Sequence, residues 1–167
     1  YDIFVSTRLT EPGTFYVNTS RLVGVDGTDG WSVSDAMARG RAETEELLAI
    51  MRERFPGFAR ARLKSVASLL GVRESRRIVG DFVMTTDDLR VDRDFDDAVG
   101  YSMYGWDLPD PRLPSSQPLL DGGVRKGLST PLPWRMMVPR PVGNLVCPGR
   151  AVSVERDVLG PVREIAP

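Results

Sequence analysis

Residues 70–85 read L-G-V-R-E-S-R-R-I-V-G-D-F-V-M-T, an apolar run with Arg73, Glu74, Arg76 and Arg77 set inside it. No other stretch of the chain restricts the fold as tightly. The β-branched and aromatic content of I-V-G-D-F-V-M predicts extended backbone with a buried face. The charges beside it must then reach a partner or solvent, because an unpaired buried charge is costly. On an extended chain side chains alternate, so Arg73, Ser75 and Arg77 share one face and Glu74, Arg76 and Ile78 the other. Arginines on a common face suit a carboxylate or a phosphate, and Arg73, Arg76 and Arg77 are the candidate substrate- or anion-binding residues. Glu74 beside Arg76 predicts a local ion pair. The same residues also fit a purely structural role, tying neighbouring loops through carbonyls and carboxylates. Gly71 and Gly80 frame the run, as glycines do where a backbone approaches closely.

The flanking segments supply the rest of the architecture. Residues 1–9 and 14–25 are β-rich and are joined by E-P-G-T, which predicts a hairpin. G-V-D-G-T-D-G at 24–30 follows a strand and precedes a helix, but its spacing is not G-x-G-x-x-G and Asp26 and Asp29 would repel a phosphate. It reads as a turn-rich connector. Residues 34–54 form the clearest helix, with Ser32 or Ser34 as cap and Asp35 in the first turn. Val33, Met37, Leu47, Leu48, Met51 and Phe55 recur at helical spacing, opposite Arg41, Glu45, Glu46, Arg52 and Glu53. Pro56-Gly57 ends it. A-R-L-K-S-V-A-S-L-L at 61–70 leans to strand, and T-T-D-D-L-R at 85–90 predicts a helical turn capped by Thr85 or Thr86. Asp92, Asp94, Asp96 and Asp97 read as solvated turn and helix-start charge rather than a cation site. Residues 107–133 are a Pro-, Gly- and Ser-rich excursion, followed by two expected strands at 134–139 and 144–153.

Composition excludes several chemistries. The 167 residues include no histidine and one cysteine, Cys147. A Ser-His-Asp triad, a Cys-His pair and a histidine-based zinc site are therefore impossible within the chain, and no metal site is expected. A formal net charge of -1 supplies no global field for nucleic acid or acidic membrane. No apolar run reaches the roughly 20 residues of a membrane span. Neither a nucleic-acid nor a membrane partner is expected. The chain opens directly in Y-D-I-F-V, as a piece of a longer polypeptide or a mature product would.

Several blocks occur in an order that resembles one family. G-V-R-E-S-R-R-I-V-G-D-F-V-M-T at 71–85 resembles a signature of FAD-dependent oxidoreductases, G-[IV]-R-E-[ST]-R-R-[IV]-x-G. F-D-D-A-V at 95–99 and the aromatic run ending in W-D at 106–107 are similar to that family's next block. L-P-W-R-M-M-V-P at 132–139 is similar to I-P-Y-R-x-L-x-P. N-L-V-C-P-G-R-A-V-S at 144–153 is similar to N-L-L-V-A-G-R-x-x-S, and L-G-P-V-R at 159–163 to L-G-S-V-R.

The resemblance implies an α+β fold: the substrate-domain portion of a two-domain flavoprotein, a mixed sheet with helices, plus strands returning to the FAD-binding domain. Residues 1–133 would belong to the substrate domain and 134–167 to the returning segment. Gly149 and Arg150 would approach the flavin, and Tyr101, Tyr104 and Trp106 would line the substrate region or fill core. The implied activity is flavin-mediated redox of a small-molecule substrate, with FAD as cofactor. The chain departs from the pattern at several places. Its G-x-G-x-x-G loop is absent, histidines expected after Asp107 and after G-R-x-x-S are missing, and the frequent Cys after G-R is Ala151. The missing FAD-binding half would have to come in cis or from another chain, and the chain alone is expected to bind FAD weakly or not at all. A non-catalytic truncated or interaction module that has lost FAD is the alternative. No catalytic residue is assigned.

Overall fold

The structure is a computed structural model that describes residues 4–105 and 129–163. Trp106, Asp107 and nearly all of the 107–133 excursion lie outside the described residues. The chain divides into two compact units, whose described residues are 4–72 and then 73–105 with 129–163. It combines helices with two small antiparallel sheets, in keeping with an α+β class. The mixed sheet expected from sequence is not formed among the described residues; parallel pairing is limited to one isolated bridge, Met84 to Val154.

The first unit begins with the expected hairpin. Strands β1 (Val5–Arg8) and β2 (Phe15–Asn18) pair antiparallel, Val5 opposite Asn18 and Arg8 opposite Phe15. The Leu9 N–H donates to the Thr14 carbonyl at 2.9 Å and closes the E-P-G-T turn. Helix α1 (Gly30–Arg54) starts earlier than the serines imply. Its cap is Asp29, whose carboxylate accepts from the Trp31 and Ser32 amides. Asp26 folds the preceding turn by accepting from the Thr28 amide and hydroxyl. An aspartate outcompetes serine here because the helix N-terminus favours negative charge. Ser32 instead accepts from the Asp26 amide.

The apolar face of α1 is as expected. Ala36 and Met51 are buried, Val33, Met37, Leu47 and Leu48 are half-buried, and the charged face is exposed. Phe55 and Phe58, just past the helix, hold the hairpin through ring contacts to Phe4 at 5.1 Å and Phe15 at 5.6 Å. A shallow recess lined by Gly13, Phe15, Gly57, Phe58, Arg60 and Ala61 lies beside them. Residues 61–70 are not a strand: they have no regular structure, and Leu63, Val66 and Leu69 are exposed. A strand needs a partner ladder, and none of the described segments supplies one.

Lys64 donates to Glu11, and this bond with the ammonium charge holds the Glu11 carboxyl below the usual glutamate value. The stabilisation is present above the ordinary glutamate pKa and fades as pH falls through the lowered one. Both side chains are largely exposed, so the effect on stability is small. Lys64→Met is expected to return the Glu11 titration, followed by carboxyl carbon NMR, to the ordinary glutamate range. A curve left unmoved would assign the shift to something other than Lys64.

The second unit holds the larger core: Met84, Phe95, Met136, Met137, Val152, Val154, Val158, Leu159 and Val162. Residues 78–84 run through it as an extended rib. On one side the Asp81 amide donates to Val138 and the Arg140 amide to Val79. On the other, the Ile78 amide donates to Ala151, Met84 to Ser153 and Glu155 to Met84. Exposure alternates along the rib, with Val79, Asp81 and Val83 outward and Gly80 and Met84 buried. Strand-like alternation is thus present, but the ladder is reduced to isolated bridges at Gly80 and Met84. The reason lies in its neighbours. The expected strands at 134–139 and 144–153 are instead broken by 3-10 turns at Trp134–Met136 and Gly149–Ala151.

Helix α2 (Thr86–Arg90) carries the expected cap. Thr85 and Asp88 form a capping box, and buried Asp88 also takes the Arg93 guanidinium. Strands β3 (Ala98–Ser102) and β4 (Thr130–Pro133) pair antiparallel with an irregularity between Ala98 and Tyr101. A short helix α3 (Leu159–Val162) closes the core, buried throughout.

Candidate functional site

The R-E-S-R-R segment enters the second unit with a bend at Ser75, which resets the alternation of faces. Glu74 therefore meets Arg77, at 3.6 Å, rather than Arg76. Its other partner lies 82 positions along the chain. Arg156 donates to Glu74 Oε1 through both Nε, at 3.1 Å, and Nη2, at 2.8 Å. One carboxylate thus bridges two guanidiniums. The bend interrupts the simple alternation on which a face shared by Arg73 and Arg77 was expected, and Arg77 turns to Glu74. Arg73 and Arg76 are exposed.

Three residues beyond Arg77, the last arginine of R-E-S-R-R, the rib becomes tight. Gly80 is buried, and a Cβ there would meet the Ser153 Cβ at 2.9 Å and the carbonyl oxygens of Arg135 and Val138 at 3.0 Å. The expectation of close backbone approach is met at Gly80 but not at Gly71, where a Cβ would meet nothing within 4 Å. Ser153 belongs to the N-L-V-C-P-G-R-A-V-S block, so two separate motif blocks interlock at this point.

The same block supplies Gly149, Arg150 and Ala151 as one 3-10 turn. Gly149 is buried with φ 72°, a left-handed conformation that glycine adopts without steric cost. Arg150 projects as an exposed side chain. The Ile78 amide donates to the Ala151 carbonyl at 2.9 Å, so the turn is tethered directly to the end of R-E-S-R-R. The turn thus sets an exposed guanidinium beside a buried glycine backbone.

Arg135 is a side chain with several partners that sequence reasoning missed. Its guanidinium lies 5.1 Å from the Phe82 ring centroid and 5.8 Å from that of Phe95, with the two rings edge-on at 5.3 Å. Asp97 receives the Arg135 amide at 3.1 Å and sits 3.5 Å from Nη2. Buried Asp97 Oδ1 makes no well-directed hydrogen bond, so that pairing is mainly coulombic. The signal was available: Phe95, Asp97 and Arg135 all stand in motif-like blocks, but only folding shows that they meet. Of the aromatic candidates, Tyr101 and Tyr104 are exposed, which overturns a core role for them, while Trp106 lies outside the described residues. Asp92, Asp94, Asp96 and Asp97 do not gather: among the described residues no group of three or more His, Cys, Asp or Glu could hold a metal. No helix of the described residues is long and apolar enough to cross a membrane.

A family model described as FAD dependent oxidoreductase matches residues 2–167, nearly the whole chain. No curated protein and no solved structure gives a significant match.

Proposed function

The chain belongs to the FAD dependent oxidoreductase family, and on that premise we propose that it forms part of an enzyme that oxidises or reduces a small-molecule substrate. FAD, when bound, supplies the hydride or electron chemistry. The chain's own residues place and orient it. Gly149 lets the backbone come close, Arg150 offers a charged donor, and Arg73, Arg76 and Arg77 are the candidates for an anionic group. Residues 134–167 are read as the returning segment of an FAD-binding domain and 1–133 as substrate domain. The dinucleotide half comes in cis or from another chain. The observation that carries this reading is the joining of the G-R turn to R-E-S-R-R through Ile78 and Ala151.

The pyrophosphate of FAD needs its own cradle, most often a glycine-rich loop at a helix N-terminus. The sequence holds no G-x-G-x-x-G. Titration of the 167-residue chain with FAD, followed by flavin fluorescence, is expected to show weak binding or none. A sub-micromolar dissociation constant would refute that expectation. The second reading, a module without catalysis, is favoured by the absence of histidine. Flavin absorbance in the purified complete protein supports the enzyme, and a colourless folded protein with a defined partner supports the module.

A further inference from the structure

We propose that residues 62–67 are a strand edge on which the complementing half of the flavoprotein docks, by adding an extended segment that carries carboxylates. This rests on the reading that such a half exists, in cis or in another chain, and says where it meets the first unit. The segment is held only at its two ends. At one end the Ala61 amide donates to the Phe58 carbonyl at 2.8 Å, and the Ala61 carbonyl accepts from Arg52 Nε at 2.8 Å. At the other, the Val72 amide donates to the Leu70 carbonyl at 2.9 Å. Between them, no backbone N–H or C=O of residues 62–69 has a hydrogen-bond partner among the described residues. The path has no bend from Ala61 to Ala67 and turns at Ser68 and Leu69. Residues 62–67 at the strand rise span about 20 Å, an ordinary strand length.

An open run of this kind is a template for another chain. Strand addition draws affinity from such backbone and specificity from alternate side chains. Leu63 and Val66 leave apolar surface in water beside it. The charges select the guest. Side chains alternate along an extended path, so Arg62 and Lys64 fall on one side with Val66. Lys64 is taken by Glu11. Arg60 and Arg62 have no carboxylate among the described residues. Like charges directly opposite one another destabilise a strand pair. A parallel, in-register copy would set Arg62 against Arg62, whereas a strand with Asp or Glu opposite Arg62 complements it.

Amide exchange at 62–67, followed by NMR, tests the edge. In the complete protein every second amide of the run is expected to exchange at least about tenfold more slowly than in the 167-residue chain, because a strand gives only alternate N–H groups to one neighbour. Arg62→Glu in the complete protein is expected to lose most of that slowing, and Arg62→Lys to keep it. Equal rates in the complete protein and in the chain overturn the proposal. Slowing in the chain alone that grows with its concentration also overturns it, since the occupant is then a second copy. Slowing that Arg62→Glu leaves intact removes the acidic partner and the proposal with it. Flavin absorbance of the complete protein is read separately. Protection at 62–67 without FAD defeats the flavin reading and keeps the edge, whereas bound FAD with 62–67 unprotected defeats the edge alone.

Discussion

Replacing Gly80 by alanine is expected to lower the unfolding free energy of the second unit by about 3 kcal/mol, the upper end of the range for forcing a methyl into a packed interior. The new Cβ would lie 2.9 Å from the Ser153 Cβ and 3.0 Å from two carbonyl oxygens. None of these is the far end of a flexible side chain. The carbonyl of Val138 accepts from the Asp81 amide, one residue beyond the substitution, so moving it away breaks that rib bond. Moving the rib instead strains the Met84–Ser153 bond on its other side. A urea titration of the chain, read by Trp134 fluorescence in a Trp31→Phe, Trp106→Phe background, measures the loss. Ser153→Gly added to Gly80→Ala removes the shortest contact but leaves both carbonyls, so only part of the loss returns. A single variant within about 0.5 kcal/mol of the parent would show that the seam is looser than these distances imply.

Gly80 also shows what was legible in the sequence. A glycine within an apolar extended run announces close backbone approach, and the run itself announces alternation; both are found. The partner was not legible, because Ser153 and the carbonyls of Arg135 and Val138 come from 55 or more positions along the chain. The local features followed local chemistry: the E-P-G-T hairpin, the Pro56-Gly57 helix end and the Thr85 cap. The misread segments depend on distant partners. Residues 134–139 and 144–153 have strand-like composition, yet the 3-10 turns at Trp134 and Gly149 divide them. Glu74 illustrates the same point at the candidate site. Its neighbour in sequence, Arg76, was the expected partner, whereas the bend at Ser75 and the return of the chain at Arg156 decide the pairing. The family was legible because the resemblance was read from short strings, independent of where each lands in space, and the family-model match over residues 2–167 bears the family out.

Met84→Ala is expected to destabilise the second unit by about 3 kcal/mol, within the range for truncating a fully buried methionine. Met84 is 0% exposed and belongs to the core cluster. Its backbone amide and carbonyl are both engaged, with Ser153 and Glu155, so the chain cannot collapse freely into the space left behind. Val83, one position earlier, is 42% exposed on the opposite face of the rib. Val83→Ala is therefore expected to cost less than about 1 kcal/mol, since the methyl groups it loses are only partly withdrawn from water. Met84→Leu conserves volume and is expected to cost under about 1.5 kcal/mol. The contrast between adjacent positions tests the rib itself: a helical segment would not place 83 and 84 on opposite faces, and equal costs at the two positions would contradict the extended path on which the placement of the G-R turn depends. If the contrast holds, the alternation that the sequence announced at I-V-G-D-F-V-M is what aligns Ile78 with Ala151 and sets Gly149 and Arg150 at the end of the seam.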